Sequence, residues 1–591
     1  MTSRRTRWTI IGIGVAVLVV ASSVLVEVSL ISQSSGPPAP GFPTVIATIG
    51  GANGSALALD HGFLGVNLRA DATLTASSAS VLNSTGIQFI RWPGGGDGDR
   101  FDPTAHDGQG VIYNDNGQTS TPGTTLAEFV AWCRSASCAS VITLPAEIDN
   151  TSMETAIVNY TEVSLDFRPT YWEIGNEPTQ WTHFGIPWAK WNSSQNSAPT
   201  PAQYAALVQS YVRALRLVDN ITGIVGIGGI GKGSVGVSTW FAPTLQLSGL
   251  DLSAMAIHVY PAGLGFPSSD LADWFGSLWG STGLPYRVDI AQAEMQSACA
   301  SCHLALLVDE LQTGTGLISS TSLSGGYLAT YIAAEIVQAL PLPVLTLDYY
   351  VFQASTPGAW FNTSGVSSAS YTLYQGLATE LGPEAVQLNV TSSSQGLLAA
   401  EGGVTSLSMT NLLLVNANAT TGFRLNLSTR FPDASAGTAW VFNGSSGNPS
   451  TFPIGASGAV NWTLPPASLV ILHGIGLPNP ATVGRHTTRP RDSGPRDGVL
   501  PVVPNLLAST TTAATGGRGM RELRGMVDPF IPRPRGPPAA IALARGQTYS
   551  RRASGPRRPN ASNRKFCLMM LPMGKNGIQR RTSFRFIFTR K

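Results

Sequence analysis

At 591 residues, 43% of them apolar, the chain is too long for one ordinary domain and can fill a large core. Its net charge of +3 averages two unlike parts: residues 476–591 hold 22 Lys+Arg against 4 Asp+Glu, which leaves 15 and 30 in residues 1–475. An acidic body so poor in cations argues against polyanionic partners, and no nucleic acid is expected despite the basic tail.

Arg4, Arg5 and Arg7 precede an uncharged run from Trp8 to Val26, 19 residues and just enough to span a bilayer core of about 30 Å. With the arginines inside, the remainder faces out. Residues 1–31 therefore read as a signal anchor, and Ala21-Ser22-Ser23 also permits a cleaved signal peptide. Either way the body is expected to be extracellular, secreted or held on the outer face of the cell membrane. Twelve Asn-X-Ser/Thr sequons between Asn53 and Asn461 agree with an exported glycoprotein. On such a chain Cys133/Cys138 and Cys299/Cys302 read as two local disulfides; a four-cysteine zinc site is the alternative, and Cys567 is left over.

Residues 32–55 form a proline-stiffened linker followed by a β-type run, Thr44–Ile49, which should complete a sheet elsewhere. From 56 to 378, brief apolar runs alternate with helical patterns, the mark of an α/β fold with a parallel sheet buried on both faces. The runs are Phe63–Leu68, Ile87–Trp92, Ser140–Leu144, Tyr171–Gly175, Gly223–Ile227, Ala254–His258, Leu304–Val308 and Val344–Tyr349. Eight such units fit a (β/α)8 TIM barrel. One helix is announced by Thr200-Pro201-Ala202-Gln203, an N-cap, a first-turn proline and a capping-box glutamine. Residues 379–475 switch to short β-type runs with Gly, Asn and Ser turns, read as an accessory all-β sandwich. Residues 476–591 lose periodicity and read as a basic disordered tail.

The fourth run continues as Tyr171-Trp172-Glu173-Ile174-Gly175-Asn176-Glu177-Pro178. Pro178 ends ladder pairing, so Glu177 should sit at the carboxyl end of its strand, where barrel enzymes place reacting groups. The bland alternative is a carboxylate that caps the next helix. An Asn before a strand-end Glu, with Pro after it, resembles the acid/base signature of clan A retaining glycoside hydrolases. The resemblance implies a nucleophile at the end of strand seven, and Leu304–Leu311 supplies Glu310 there, 133 residues on. Alternation along that strand sends Asp309 and Glu310 to opposite faces, so only one of them should face the barrel mouth.

The resemblance further implies that Arg91 holds the nucleophile, that Asn176 meets the sugar 2-hydroxyl, and that His258 and Tyr260 flank the pair. Trp181, Trp188, Trp191 and Tyr350 can stack on sugar faces or merely pack loops. Glu173, deeper on its strand, suits a buried structural role. The glycine run after Arg91 could cradle phosphate, but Pro93 and the missing Lys-Ser/Thr weaken that reading. Trp360 is a candidate for the tryptophan that clan members often carry after strand eight. No cofactor or metal is expected. The layout over residues 44–475 is most similar to the heparanase and β-glucuronidase family, with further likeness to α-L-arabinofuranosidase and endoglucanase-like families. It implies hydrolysis of β-glycosidic bonds in poly- or oligosaccharides; a barrel that binds carbohydrate without catalysis is the rival of another class.

Overall fold

The computed structural model describes residues 42–476 except 228–233, 263–269, 314–324, 355–358, 363, 366, 406–408, 428–437, 444–447 and 454–462. The anchor segment, Cys567 and the basic tail beyond 476 lie outside the described residues. Among those described, no helix is long and apolar enough to cross a membrane.

Eight parallel strands close into a barrel: Leu64–Asn67, Phe89–Trp92, Ala139–Leu144, Tyr171–Ile174, Gly223–Ile227, Ala254–Val259, Ala305–Leu311 and Thr346–Tyr349. Each falls on one of the eight apolar runs. Most of their residues are buried, because one face fills the barrel and the other meets the helical layer. Helix Pro201–Val218 shows how the surround is fixed. Thr200 Oγ1 accepts from the Gln203 N–H at 3.3 Å while Gln203 Oε1 accepts from the Thr200 N–H at 2.9 Å. The helix then buries Tyr204, Leu207, Val208, Tyr211 and Leu215 on one face. The Tyr204 hydroxyl donates to the Ile174 carbonyl and accepts from the Ile227 N–H, both at 3.0 Å, tying strand four to strand five just below Asn176 and Glu177.

The second part is a ten-stranded sheet that curls over its own core, the sandwich. Thr44–Ala52 completes it, antiparallel to Glu384–Ser392 and parallel to Gly422–Asn426. Period-two alternation divides its strands between two cores. Leu412, Leu414, Val470 and Leu472 face the sandwich interior, whereas Leu413, Val415, Leu469 and Ile471 join the core shared with the barrel. Helix Gly326–Ala339 runs through that shared region with every residue from Leu328 to Ala339 buried.

Cys133–Cys138 and Cys299–Cys302 are disulfides, with Cα–Cα distances of 5.0 and 5.3 Å. That corrects the zinc alternative, since each sulfur is already bonded to its near neighbour.

Candidate active site

Arg91, at the inner end of strand two, organises the barrel mouth. Its side chain is fully buried, and Nε donates to Glu173 Oε2 at 2.7 Å. Nη1 donates to Glu310 Oε1 at 2.8 Å and to Asn67 Oδ1 at 3.0 Å, and Nη2 donates to Asn176 Oδ1 at 2.8 Å. Burial works against the charge, but the carboxylates of Glu173, Asp309 and Glu310 outweigh it and hold the Arg91 pKa well above its usual value. Because Arg91 occupies Asn176 Oδ1, the Asn176 amide keeps Nδ2 as a donor. Asp99 Oδ1 accepts from the Asn176 N–H at 2.9 Å and fixes the backbone before Glu177.

Gly175 makes that turn possible. It adopts φ +76°, and a Cβ there would lie 2.6 Å from Trp181 Cζ2. Glu177 follows, with 17% of its side chain exposed, and its Oε1 lies 2.7 Å from His258 Nδ1. Burial, the largest influence, raises the Glu177 pKa above the ordinary carboxylate range. His258 opposes this and Glu310 adds to it. Burial contributes more to this rise than repulsion from the second glutamate does.

Glu310 is gripped by both oxygens: Arg91 holds Oε1, and the Tyr260 hydroxyl donates to Oε2 at 2.5 Å. His258 Nδ1 is also 3.2 Å from Oε2. The donor atoms of Glu177, His258 and Glu310 lie within 4.8 Å of one another. A divalent cation could use such a trio, but the His258–Glu177 hydrogen bond and the His258–Glu310 contact already account for their closeness. Tyr350, partly exposed at the end of strand eight, lies near enough to Glu310 to feel its charge, and Arg69 Nη1 donates to its hydroxyl at 3.5 Å.

Three expectations need correction. The register of strand seven shifts at Asp309–Glu310, a β-bulge that turns both side chains inward rather than to opposite faces. Asp309 Oδ2 lies 3.5 Å from Arg91 Nε, and Oδ1 lies 3.4 Å from His258 Nε2. Burial first, then Glu173, pushes the Asp309 pKa well above its usual value, whereas Glu173, despite burial, is drawn down by Arg91. The two neighbouring carboxyls are thus shifted in opposite directions. Secondly, Trp181 is buried and packs against Phe184 and Tyr204, so it offers no face to a sugar. Trp188 stacks on Tyr113 and Trp191 on His183, and both rings are buried too. Thirdly, Trp360 is a core residue against Tyr349 and Tyr374. The glycine run after Arg91, already a poor phosphate loop by its sequence, leaves room for a neighbouring side chain: a Cβ on Gly95 would lie 2.6 Å from the Tyr350 hydroxyl.

Residues that sequence reasoning passed over include Asn67, which donates to the Asp309 carbonyl at 2.7 Å, and Thr143, which donates to Glu173 at 2.6 Å. Glu147 accepts from the Thr182 and His183 N–H groups at 2.8 and 2.6 Å and holds the loop after Glu177. For Asn67 and Thr143 the signal was a polar residue at or next to the end of an apolar strand.

No protein-family model matches the chain, and no curated protein sequence does. Solved structures do match. A family 51 α-L-arabinofuranosidase from Bifidobacterium longum is 14% identical with a TM-score of 0.56, over 73% of this chain and 100% of that one. An α-L-arabinofuranosidase from Thermotoga maritima is 13% identical with a TM-score of 0.55, over 73% and 100%. A bifunctional glucanase-xylanase from a metagenome library is 13% identical with a TM-score of 0.52, over 74% and 100%. The chain shares their fold. At these identities the likeness extends to architecture and no further.

Proposed function

We propose that the chain is a retaining glycoside hydrolase in which Glu310 is the nucleophile and Glu177 the acid/base. The observation that carries the reading is the pair itself. Oxygens of the two carboxyls lie within 4.8 Å of one another, in keeping with the separation of about 5–5.5 Å that favours retention over inversion.

In the first step a Glu310 oxygen bonds to the anomeric carbon as the glycosidic C–O bond breaks, and the Glu177 proton passes to the leaving oxygen. Arg91 and Tyr260 aim the nucleophile, and Asn176 Nδ2 is the donor for a 2-hydroxyl. In the second step water attacks the anomeric carbon, its proton goes to Glu177, and the ester to Glu310 breaks. Because burial raises the Glu177 pKa, the acid form persists above the ordinary carboxylate range, and activity falls as pH rises through the raised value.

The substrate is a neutral sugar in this reading. Arg69, the basic side chain beside Tyr350, is already engaged by Asp71 at 2.9 Å and Asp97 at 3.3 Å. The segments 228–233, 263–269, 314–324 and 355–358, which follow strands five to eight in sequence, contain one basic residue, Lys232. A glucuronide or sulfated chain would call for an unpaired cation. Neutral β-glucan and xylan fit, and the shared architecture with α-L-arabinofuranosidases supports arabinofuranosides as the second reading.

The test is a panel of aryl β-glucosides, β-xylosides, β-glucuronides and α-L-arabinofuranosides, followed by neutral polysaccharides. Hydrolysis of a neutral class that disappears in Glu177→Ala and Glu310→Ala supports the proposal. Hydrolysis confined to glucuronides overturns the substrate class, and carbohydrate binding without any hydrolysis favours the binding-only reading.

A further inference from the structure

Beside the hairpin of strands Glu384–Ser392 and Leu397–Thr405 lies a groove of about 390 Å³, within the range of small-ligand sites. One wall is Trp279, partly exposed in the turn between helices Leu271–Ser277 and Leu284–Ala298 of the barrel. The other is the sandwich hairpin itself, residues 387–390 and 392–398. None of the lining residues is charged, so nothing there would recognise a phosphate, a sulfate or a metal cation. Asn389, Ser392, Ser393 and Gln395 contribute amides and hydroxyls. Asn389 Nδ2 donates to the Gly51 carbonyl at 3.1 Å, which leaves Oδ1 as an acceptor.

We propose that this groove is a second saccharide-binding site, separate from the catalytic cluster and built for a neutral oligosaccharide. An indole beside neutral donors and acceptors matches a sugar ring, which is apolar on its C–H faces and hydroxylated at its edge. A lipid chain or apolar peptide would leave the amides and hydroxyls unpaired. The hairpin wall is braced before a ligand arrives. Asn418 Nδ2 donates to the Gln395 carbonyl at 3.0 Å, the Ala417 N–H to the Gly396 carbonyl at 2.7 Å, and the Ser394 N–H to Ser392 Oγ at 3.2 Å. A preformed wall lowers the ordering cost of binding. The choice of neutral polysaccharides as ligands rests on the glycosidase reading, but binding in the groove does not require catalysis.

The experiment uses the full chain carrying Glu310→Gln, so that bound sugar is not hydrolysed, and titrates arabinoxylan and mixed-linkage glucan oligosaccharides by calorimetry. A second binding event, apart from the one at the catalytic cluster, is expected to weaken by about tenfold or more in Trp279→Ala. Ser393→Arg, on the exposed turn, should block the same event without disturbing the core and covers a failure of Trp279→Ala to fold. Both substitutions, placed in the otherwise unaltered chain, should leave aryl glycoside hydrolysis as it was, which separates this site from the proposed function. Unchanged oligosaccharide binding in both variants would overturn the proposal. So would a glycan on Asn389, within the sequon Asn389-Val390-Thr391, if binding appeared only in Asn389→Gln, because the groove would then hold the chain's own sugar.

Discussion

Buried acids occur in two settings in this molecule. At the barrel mouth Glu173, Asp309 and Glu310 surround one guanidinium, and hydrogen bonds from Asn67, Thr143 and Tyr260 complete the cluster. In helix Gly326–Ala339, Glu335 is equally buried, with neither oxygen hydrogen-bonded among the described residues, and burial alone pushes its pKa well above the usual range. Burial favours the neutral carboxyl in both places; at the barrel mouth the Arg91 cation reverses that preference for Glu173, while Asp309 stays raised. At the barrel mouth the cation that draws Glu173 down is Arg91, and helix Gly326–Ala339 brings no counterpart to Glu335.

The contrast breaks most severely at Glu310. Glu310→Gly should cut turnover by about a thousandfold or more while the protein still folds, and azide as an external nucleophile should restore part of it. Next comes Arg91→Met, which strands Glu173, Asp309 and Glu310 without their cation. It should lower stability by about 3–5 kcal/mol, read as a fall in the urea midpoint, and abolish activity. Glu177→Ala should slow substrates with poor leaving groups far more than activated aryl glycosides, because only the former need the proton.

Glu335→Gln should cost little at acid pH and stabilise at neutral pH. The folded protein keeps Glu335 protonated while the unfolded chain, with an ordinary carboxyl near 4.5, releases the proton. The same sign applies to Asp99, Glu154, Asp309 and Asp348, all raised by burial first. Each contributes stability that is complete below the unfolded-chain carboxyl range and is lost as pH climbs above it. Glu173 and Asp219, which are lowered, act oppositely and only toward stronger acid. The unfolding midpoint should therefore fall as pH rises above the ordinary carboxylate range, and a midpoint that rises there would contradict the assignment.

The architecture was legible because parallel strands buried on both faces leave short apolar runs, and all eight barrel strands fall on such runs. Thr44–Ile49 was readable as a strand without a local partner, and the strand there, Thr44–Ala52, does pair with strands more than 300 residues away. The strand-end acids were legible from Pro178 and from the apolar run that stops at Glu310. The direction in which Asp309 points was not, because a one-residue bulge reverses side-chain alternation and leaves no mark in composition. Aromatic type was equally silent about direction: Trp181 and Trp360 turn into the core while Tyr350 stays at the mouth. Asn67 was hidden for a different reason, since a single polar residue closing a strand is common and only the fold brings it to Arg91.

The central claim is that Glu310 forms the covalent bond. Once the substrate class is known, the matching activated 2-deoxy-2-fluoroglycoside should trap the enzyme, and peptide mass spectrometry should find the sugar on the peptide that carries Glu310. A sugar ester on Asp309 or on Glu177, or turnover with inversion and no trapped ester, would contradict it.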